Sequence, residues 1–208
     1  MAVMSTSDRE PAPAPGRYAK GLARRQEILD RAIEVFAQRG AKRTSLRAIA
    51  SEVGVTHAAL THYFGSLEEL LVAVYRESES GADKHAEPDA DASPAEMMRV
   101  SAAENREIPG MVQLYSMLVA RALEDEESPA EEFVSARFER LRAEITERVH
   151  ELQAAGRMRD DVDPSLVAAL VIAASDGLQT QWLLDADVDH EGALAMLDRL
   201  LSPIAPTG

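Results

Sequence analysis

Apolar residues in this chain recur three or four positions apart along nearly its whole length, and no sustained run alternates with period two. Such spacing lines up one face of an α-helix, whereas a half-buried strand needs alternation, so the pattern points to an all-α fold. A first helix is expected over 24–39, with Ile28, Leu29, Ala32, Ile33 and Phe36 on one face. Gly40 follows as a natural exit residue, because it takes positive φ without a Cβ penalty.

Helix starts are marked by side-chain caps. Ser66-Leu67-Glu68-Glu69 forms a capping box. Ser93-Pro94-Ala95-Glu96 and Ser128-Pro129-Ala130-Glu131 each place a Ser cap, a Pro where no amide partner is lost, and a Glu at the third helical position. Asp163-Pro164 opens a further helix by the same logic. The segment 129–155 carries Val134, Phe138, Leu141, Ile145, Val149 and Leu152 at helical spacing, a stripe that needs packing partners. Residues 1–16, with Pro11, Pro13 and Pro15 and no apolar pattern, are expected to be a disordered tail, and 78–91 a polar loop. The architecture expected is about nine helices, an N-terminal three-helix head followed by a helical body.

The chain lacks cysteine, which excludes a disulfide framework, a cysteine nucleophile, a zinc ribbon and an iron–sulfur cluster. His57, His62, His85, His150 and His190 have no zinc-ligand spacing, and HExxH, GxSxG and a phosphate-cradling glycine loop are absent from the sequence. No catalytic residue, metal or cofactor is therefore expected. No stretch reads as the roughly 20 apolar residues of a membrane span, and 1–16 lacks a secretory core, so a cytoplasmic protein with no membrane partner is expected. The net charge of −14 looks unsuited to nucleic acid, but it is unevenly placed. Residues 1–65 hold 10 Lys+Arg against 6 Asp+Glu, and the remainder 12 against 30. A basic module on an acidic body fits that asymmetry, although clustering by chance fits it as well.

Two short helical stretches, 46–53 and 57–63, are joined by Gly54-Val55-Thr56. A helix-turn-helix needs a small residue where its helices cross, a glycine where the chain leaves the first, and an apolar anchor inside the second. Ala50, Gly54 and Leu60 have those types at that spacing, with Ile49, Val53 and Val55 completing the shared core. Thr56 is placed to cap the second helix, and Thr44 or Ser45 the one before it. Taken alone, the triplet also fits an ordinary corner between two helices.

The flanking residues decide between these. From Arg24 to Tyr75 the chain, including Ile28-Leu29-Asp30-Arg31-Ala32-Ile33, Thr44-Ser45-Leu46-Arg47-Ala48-Ile49-Ala50, Gly54-Val55-Thr56 and Phe64-Gly65-Ser66-Leu67-Glu68-Glu69-Leu70, closely resembles the DNA-binding domain of the tetracycline-repressor (TetR) family. A weaker likeness around Asp176-Gly177-Leu178-Gln179 and Gln181-Trp182-Leu183-Leu184-Asp185 resembles the effector-binding and dimerisation domain of actinobacterial members. The resemblance implies a homodimeric transcriptional regulator, a repressor released from a palindromic double-stranded DNA operator by a small molecule. It implies phosphate contacts from Ser45 and Arg47, and contacts from Thr56, His57, Ala58, Thr61, His62 and Tyr63 along the recognition helix 57–63. Thr61 stands where most members have Tyr, and Leu67 where most have Lys, both positions that commonly touch phosphate. Compensation is expected from Lys20, Arg24, Arg25, Lys42 and Arg43; a ligand carrier with weakened DNA binding and an activator of the same type are the alternatives. The division implied is a tail over 1–16, a DNA-binding head over 17–65, and an effector-binding and dimerisation body over 66–208.

In the body, Leu166, Leu170, Ala174 and Leu178, with Leu194, Leu197 and Leu201 further on, make an apolar surface broader than one helix face buries in a small monomer. A four-helix interface between two copies is the economical reading. Candidates for the effector pocket are Met97, Met98, Asn105, Met111, Leu114, Tyr115, Leu118 and Phe138, with Asp176 and Gln179 as polar partners. Each of these side chains fits an ordinary core equally well.

Overall fold

The computed structural model describes residues 15–39, 46–80 and 91–203. Among these, all regular structure is helical: α1 (Pro15–Arg39), α2 (Leu46–Val53), α3 (His57–Phe64), α4 (Leu67–Ser80), α5 (Pro94–Glu107), α6 (Pro109–Glu124), α7 (Pro129–Ala154), α8 (Pro164–Leu184) and α9 (His190–Leu201). Residues 1–14 of the expected tail, residues 81–90 of the expected loop, and Gly40, Lys42, Arg43, Thr44 and Ser45 lie outside the described residues, while residues 78–80, expected in that loop, continue α4.

The first helix starts nine residues earlier than its apolar stripe indicates. Pro15 suits a first helical turn, where its missing N–H has no intrahelical partner to lose. The residues from Ala19 to Arg25 are mostly good helix formers that face solvent, so periodicity becomes visible only at Ile28. Pro15 and Gly16 therefore belong to α1 and not to a tail.

Ile28, Leu29, Ala32 and Phe36 of α1 are buried against Ile49, Ala50 and Val53 of α2 and Leu60 and Phe64 of α3. The turn after α2 rests on Gly54 at φ 73°. There the Val55 amide donates to Ala50 O at 2.8 Å and Arg31 Nη1 donates to Val53 O at 3.0 Å, so two of the last carbonyls of α2 are satisfied. The caps sited from the sequence at Ser66, Ser93, Ser128 and Asp163 are made. Amides three residues on donate to Ser66, Ser93 and Ser128 Oγ at 3.0, 3.0 and 3.1 Å, and Asp163 Oδ1 accepts from the Ser165 and Leu166 amides.

Leu70, Leu71, Val72 and Val74 of α4 join the head's core to Met111, Leu114 and Leu118 of α6 and Phe133 and Val134 of α7. A second core gathers Ile145, Val149 and Leu152 of α7, Val167, Ala168, Val171 and Ile172 of α8, and Leu201 of α9. Phe138 packs against both. The body is thus a helical stack with α4 lying between it and the head.

Candidate functional site

At the head, the N-terminus of α3 is held by Thr56, whose Oγ1 accepts from the Ala59 amide at 3.1 Å. That cap leaves Thr56, His57, Ala58, Thr61 and His62 exposed, while Leu60 and Phe64 turn inward. Tyr63 is half-buried, its ring edge-on to His62 with centroids 5.3 Å apart. Arg47 is exposed on α2. Arg24 is engaged with Glu27 at 2.5 Å, so part of its charge is already committed within α1. The two departures noted in the sequence have local accounts. Thr61 Oγ1 donates back to His57 O at 3.1 Å, and Leu67 packs, partly buried, against the core.

Two residues, Gly65 and Ser66, separate α3 from α4. At φ 71° Gly65 sits in the left-handed region that favours glycine, and a Cβ there would meet only the movable end of the exposed Glu69 side chain. The far end of α4 reaches the body and supplies Tyr75, Ser78 and Glu79 to a cavity of about 530 Å³. Its other walls are Met98, Ser101 and Asn105 of α5, Ile108, Met111 and Tyr115 around α6, Arg137 of α7, and Ile172, Ser175, Asp176 and Gln179 of α8.

The polar groups of the cavity are interlinked. Arg137 pairs with Glu79 and lays its guanidinium 5.0 Å from the Tyr115 ring centroid and 5.7 Å from that of Tyr75. Tyr115 Oη donates to Asp176 Oδ2 at 3.2 Å; Asn105 Nδ2 donates to Gln179 Oε1 at 3.4 Å. Burial, helped by the Asp176 charge, pushes the Tyr115 phenol up to about 12. Burial also raises Tyr75 and Asp176, with Arg137 acting against it in both. The volume, with apolar side chains beside a strongly polar set that includes Glu104, Glu107 and Arg140, suits a small organic ligand with a polar or charged group.

Six of the residues expected in an effector pocket, Met98, Asn105, Met111, Tyr115, Asp176 and Gln179, meet in this cavity. Four do not. Leu114 and Leu118 are fully buried in the core, Phe138 fills the joint between the two cores, and Met97 falls outside the lining. An apolar side chain at helical spacing is equally suited to core and pocket, so these four could not be told apart by type. Tyr75, Glu79 and Arg137 were not anticipated. Arg137 does carry a signal, a cation set into the apolar stripe that runs from Val134 to Leu141.

On the opposite side of the body, α8 shows a second apolar face. Leu166 and Leu170 are 64% and 63% exposed, beside a shallow groove formed by Ala173, Ala174, Gly177, Leu178, Met196, Leu197 and Leu200. Leu194 and Leu201, expected at the dimer surface, face the chain's own core with 1% and 8% exposure. The 12 residues of α9 turn them inward against α5 and α8, leaving Met196 and Leu200 outside. With apolar residues on both sides, α8 is, among the described residues, long and apolar enough to cross a membrane by length and composition. That corrects the reading that no stretch has this character; here one side packs into the core and the other meets the groove.

A head that presents one capped, exposed helix after a glycine turn, and runs by a single helix into the wall of a body cavity, is the build of a DNA-binding transcriptional regulator. Residues 28–74 match the family model for bacterial regulatory proteins of the TetR family, and residues 101–206 match that of the BetI-type transcriptional repressor, C-terminal. The chain belongs to the TetR family of transcriptional regulators, whose members are soluble proteins that bind operator DNA and small-molecule effectors as dimers. It is similar to the HTH-type transcriptional repressor AcnR of Corynebacterium diphtheriae, 27% identical over 167 residues that cover 80% of this chain and 85% of that one. It also resembles the solved structure of Salmonella enterica GusR, with a TM-score of 0.65 and 25% identity over 86% of this chain and 96% of that one. A TetR-family regulator from Agrobacterium tumefaciens shares the fold, with a TM-score of 0.66 and 20% identity over 88% of this chain and 99% of that one.

Proposed function

We propose that this chain acts in the cytoplasm as a homodimeric repressor that reads a palindromic operator through α3 and is released when an effector fills the cavity. One observation carries the reading: α4 is both the helix that follows α3 after two residues and a wall of that cavity. The repressor names of relatives such as AcnR support the sign of the regulation. On this reading 17–65 is the head and 66–208 the body. Thr56, His57, Ala58, Thr61, His62 and Tyr63 are assigned to the major groove, and phosphate contacts to Arg47, Ser45, Arg24 and Lys42. Neither a catalytic step nor a cofactor is part of it.

The dimer forms along the exposed side of α8 and the outer side of α9, through Leu166, Leu170, Ala174, Leu178, Leu197 and Leu200. Two copies then set their recognition helices about 34 Å apart, one turn of the duplex. A ligand that prefers a different spacing of the heads shifts α4 and weakens binding. A tenfold loss of DNA affinity needs only about 1.4 kcal/mol of differential binding.

Capture of genomic DNA fragments by the purified full chain tests the reading, with the mass of the complex measured on the fragment most enriched. An inverted repeat holding two copies of the protein is the result expected. Absence of any enriched sequence at moderate salt would remove the repressor reading and favour a ligand carrier.

A further inference from the structure

Most of the polar groups that converge at the inner end of the cavity engage one another. Arg137 is paired with Glu79, and Asn105 with Gln179, whose amide also reaches Ser175 Oγ at 3.3 Å. Asp176 is different. Among the described residues its carboxylate accepts one hydrogen bond, from Tyr115 through Oδ2, and no cation lies within ion-pair distance. The positive charge that acts on it belongs to Arg137, which is held by Glu79. A mostly buried carboxylate with no cation at ion-pair distance is costly, and burial raises its proton affinity accordingly. The arrangement becomes favourable once a ligand brings the cation.

We propose that the effector is an organic monocation carrying at least one ammonium N–H, which donates to Asp176 while its apolar body lies along Met98, Met111 and Ile172. The inference rests on the effector reading above and adds the chemical class. At Asp176 a single cationic centre is called for, since the neighbouring Arg137 and Glu79 cancel and Asp176 leaves one negative charge over there. An N–H is called for because Tyr115 engages one carboxylate oxygen and leaves the other as a directional acceptor.

Calorimetric titration of the full chain with four probes of matched shape tests this: 2-phenylethylammonium, its N,N,N-trimethyl counterpart, 2-phenylethanol and 3-phenylpropanoate. The N–H ammonium should bind at least tenfold more tightly than the trimethyl and alcohol probes, with the carboxylate weakest. In Asp176→Asn, checked for fold by circular dichroism, the ammonium should fall to the level of the alcohol. If that variant does not fold, the order of the four probes on the unaltered chain decides alone. Carboxylate binding as tight as ammonium, no ammonium binding at millimolar concentration, or ammonium affinity unchanged in Asp176→Asn would overturn the proposal. Ammonium binding that leaves DNA affinity unaltered would overturn release by this cavity while the ammonium site stands.

Discussion

Tyr75 of α4 lies stacked on Tyr115 of α6, the ring centroids 5.3 Å apart and the planes 25° from parallel. The Arg137 guanidinium sits against both rings and pairs with Glu79, one turn further along α4. The helix that follows the recognition helix is therefore fastened to the body by an aromatic stack and an ion pair, both on the cavity wall. Anything that enters the cavity meets this fastening directly.

Arg137→Met should lower stability to urea by about 2 kcal/mol, because it leaves the partly buried Glu79 without its charged hydrogen-bond partner. Adding Glu79→Gln to that variant should recover part of the loss. A double-mutant cycle on urea midpoints reads the coupling, and strict additivity would show that the pair holds nothing.

Alkaline pH should loosen the same joint. In the unfolded chain a tyrosine ionises near pH 10, but in the fold Tyr115 keeps its proton to about 12 and Tyr75 is raised as well. The folded state then binds more protons than the unfolded one, so stability falls as pH rises above about 10. The fall should be shallower in Tyr115→Phe. Urea unfolding at a series of alkaline pH values checks both slopes.

His190 opens α9 with 1% exposure, and neither ring nitrogen finds a hydrogen-bond partner among the described residues. A buried polar group left unpaired costs about 1–3 kcal/mol. His190→Leu should therefore raise the melting temperature despite the contact it gives up with Trp182, whose ring centroid lies 5.8 Å away. A fall in melting temperature would show that packing at this site outweighs the unpaired nitrogens.

Leu170→Arg places a charge in the middle of the exposed face of α8 without disturbing the buried side that holds Val167 and Val171. Light scattering should show the variant shifted from dimer toward monomer, with helix content unchanged by circular dichroism. A dimer of undiminished strength would place the interface elsewhere.

Helix starts were legible because caps are local: Ser66, Ser93, Ser128 and Asp163 each bond amides two or three residues away, and the sequence carries both partners. The turn at Gly54 was legible for the same reason, since one glycine and one threonine define it. The start of α1 was not, because an exposed helix has no apolar stripe to count. Nor were the destinations of Leu114, Leu118, Leu194 and Leu201, whose type and spacing suit a core, a pocket or an interface alike. Those are separated by how α4, α8 and α9 pack on their neighbours, which depends on contacts far apart in the chain. The cavity's ion pair is of that kind too, for Glu79 and Arg137 lie 58 residues apart.

The central claim, that α3 reads DNA, is tested most directly by selection from a random duplex library with the full chain and with His57→Ala/His62→Ala. Both histidines are exposed, and their removal leaves the buried Leu60 and Phe64 untouched. The account predicts an inverted repeat enriched by the unaltered chain and lost or altered in sequence with the variant. Enrichment of the same repeat to the same degree by both proteins would contradict it.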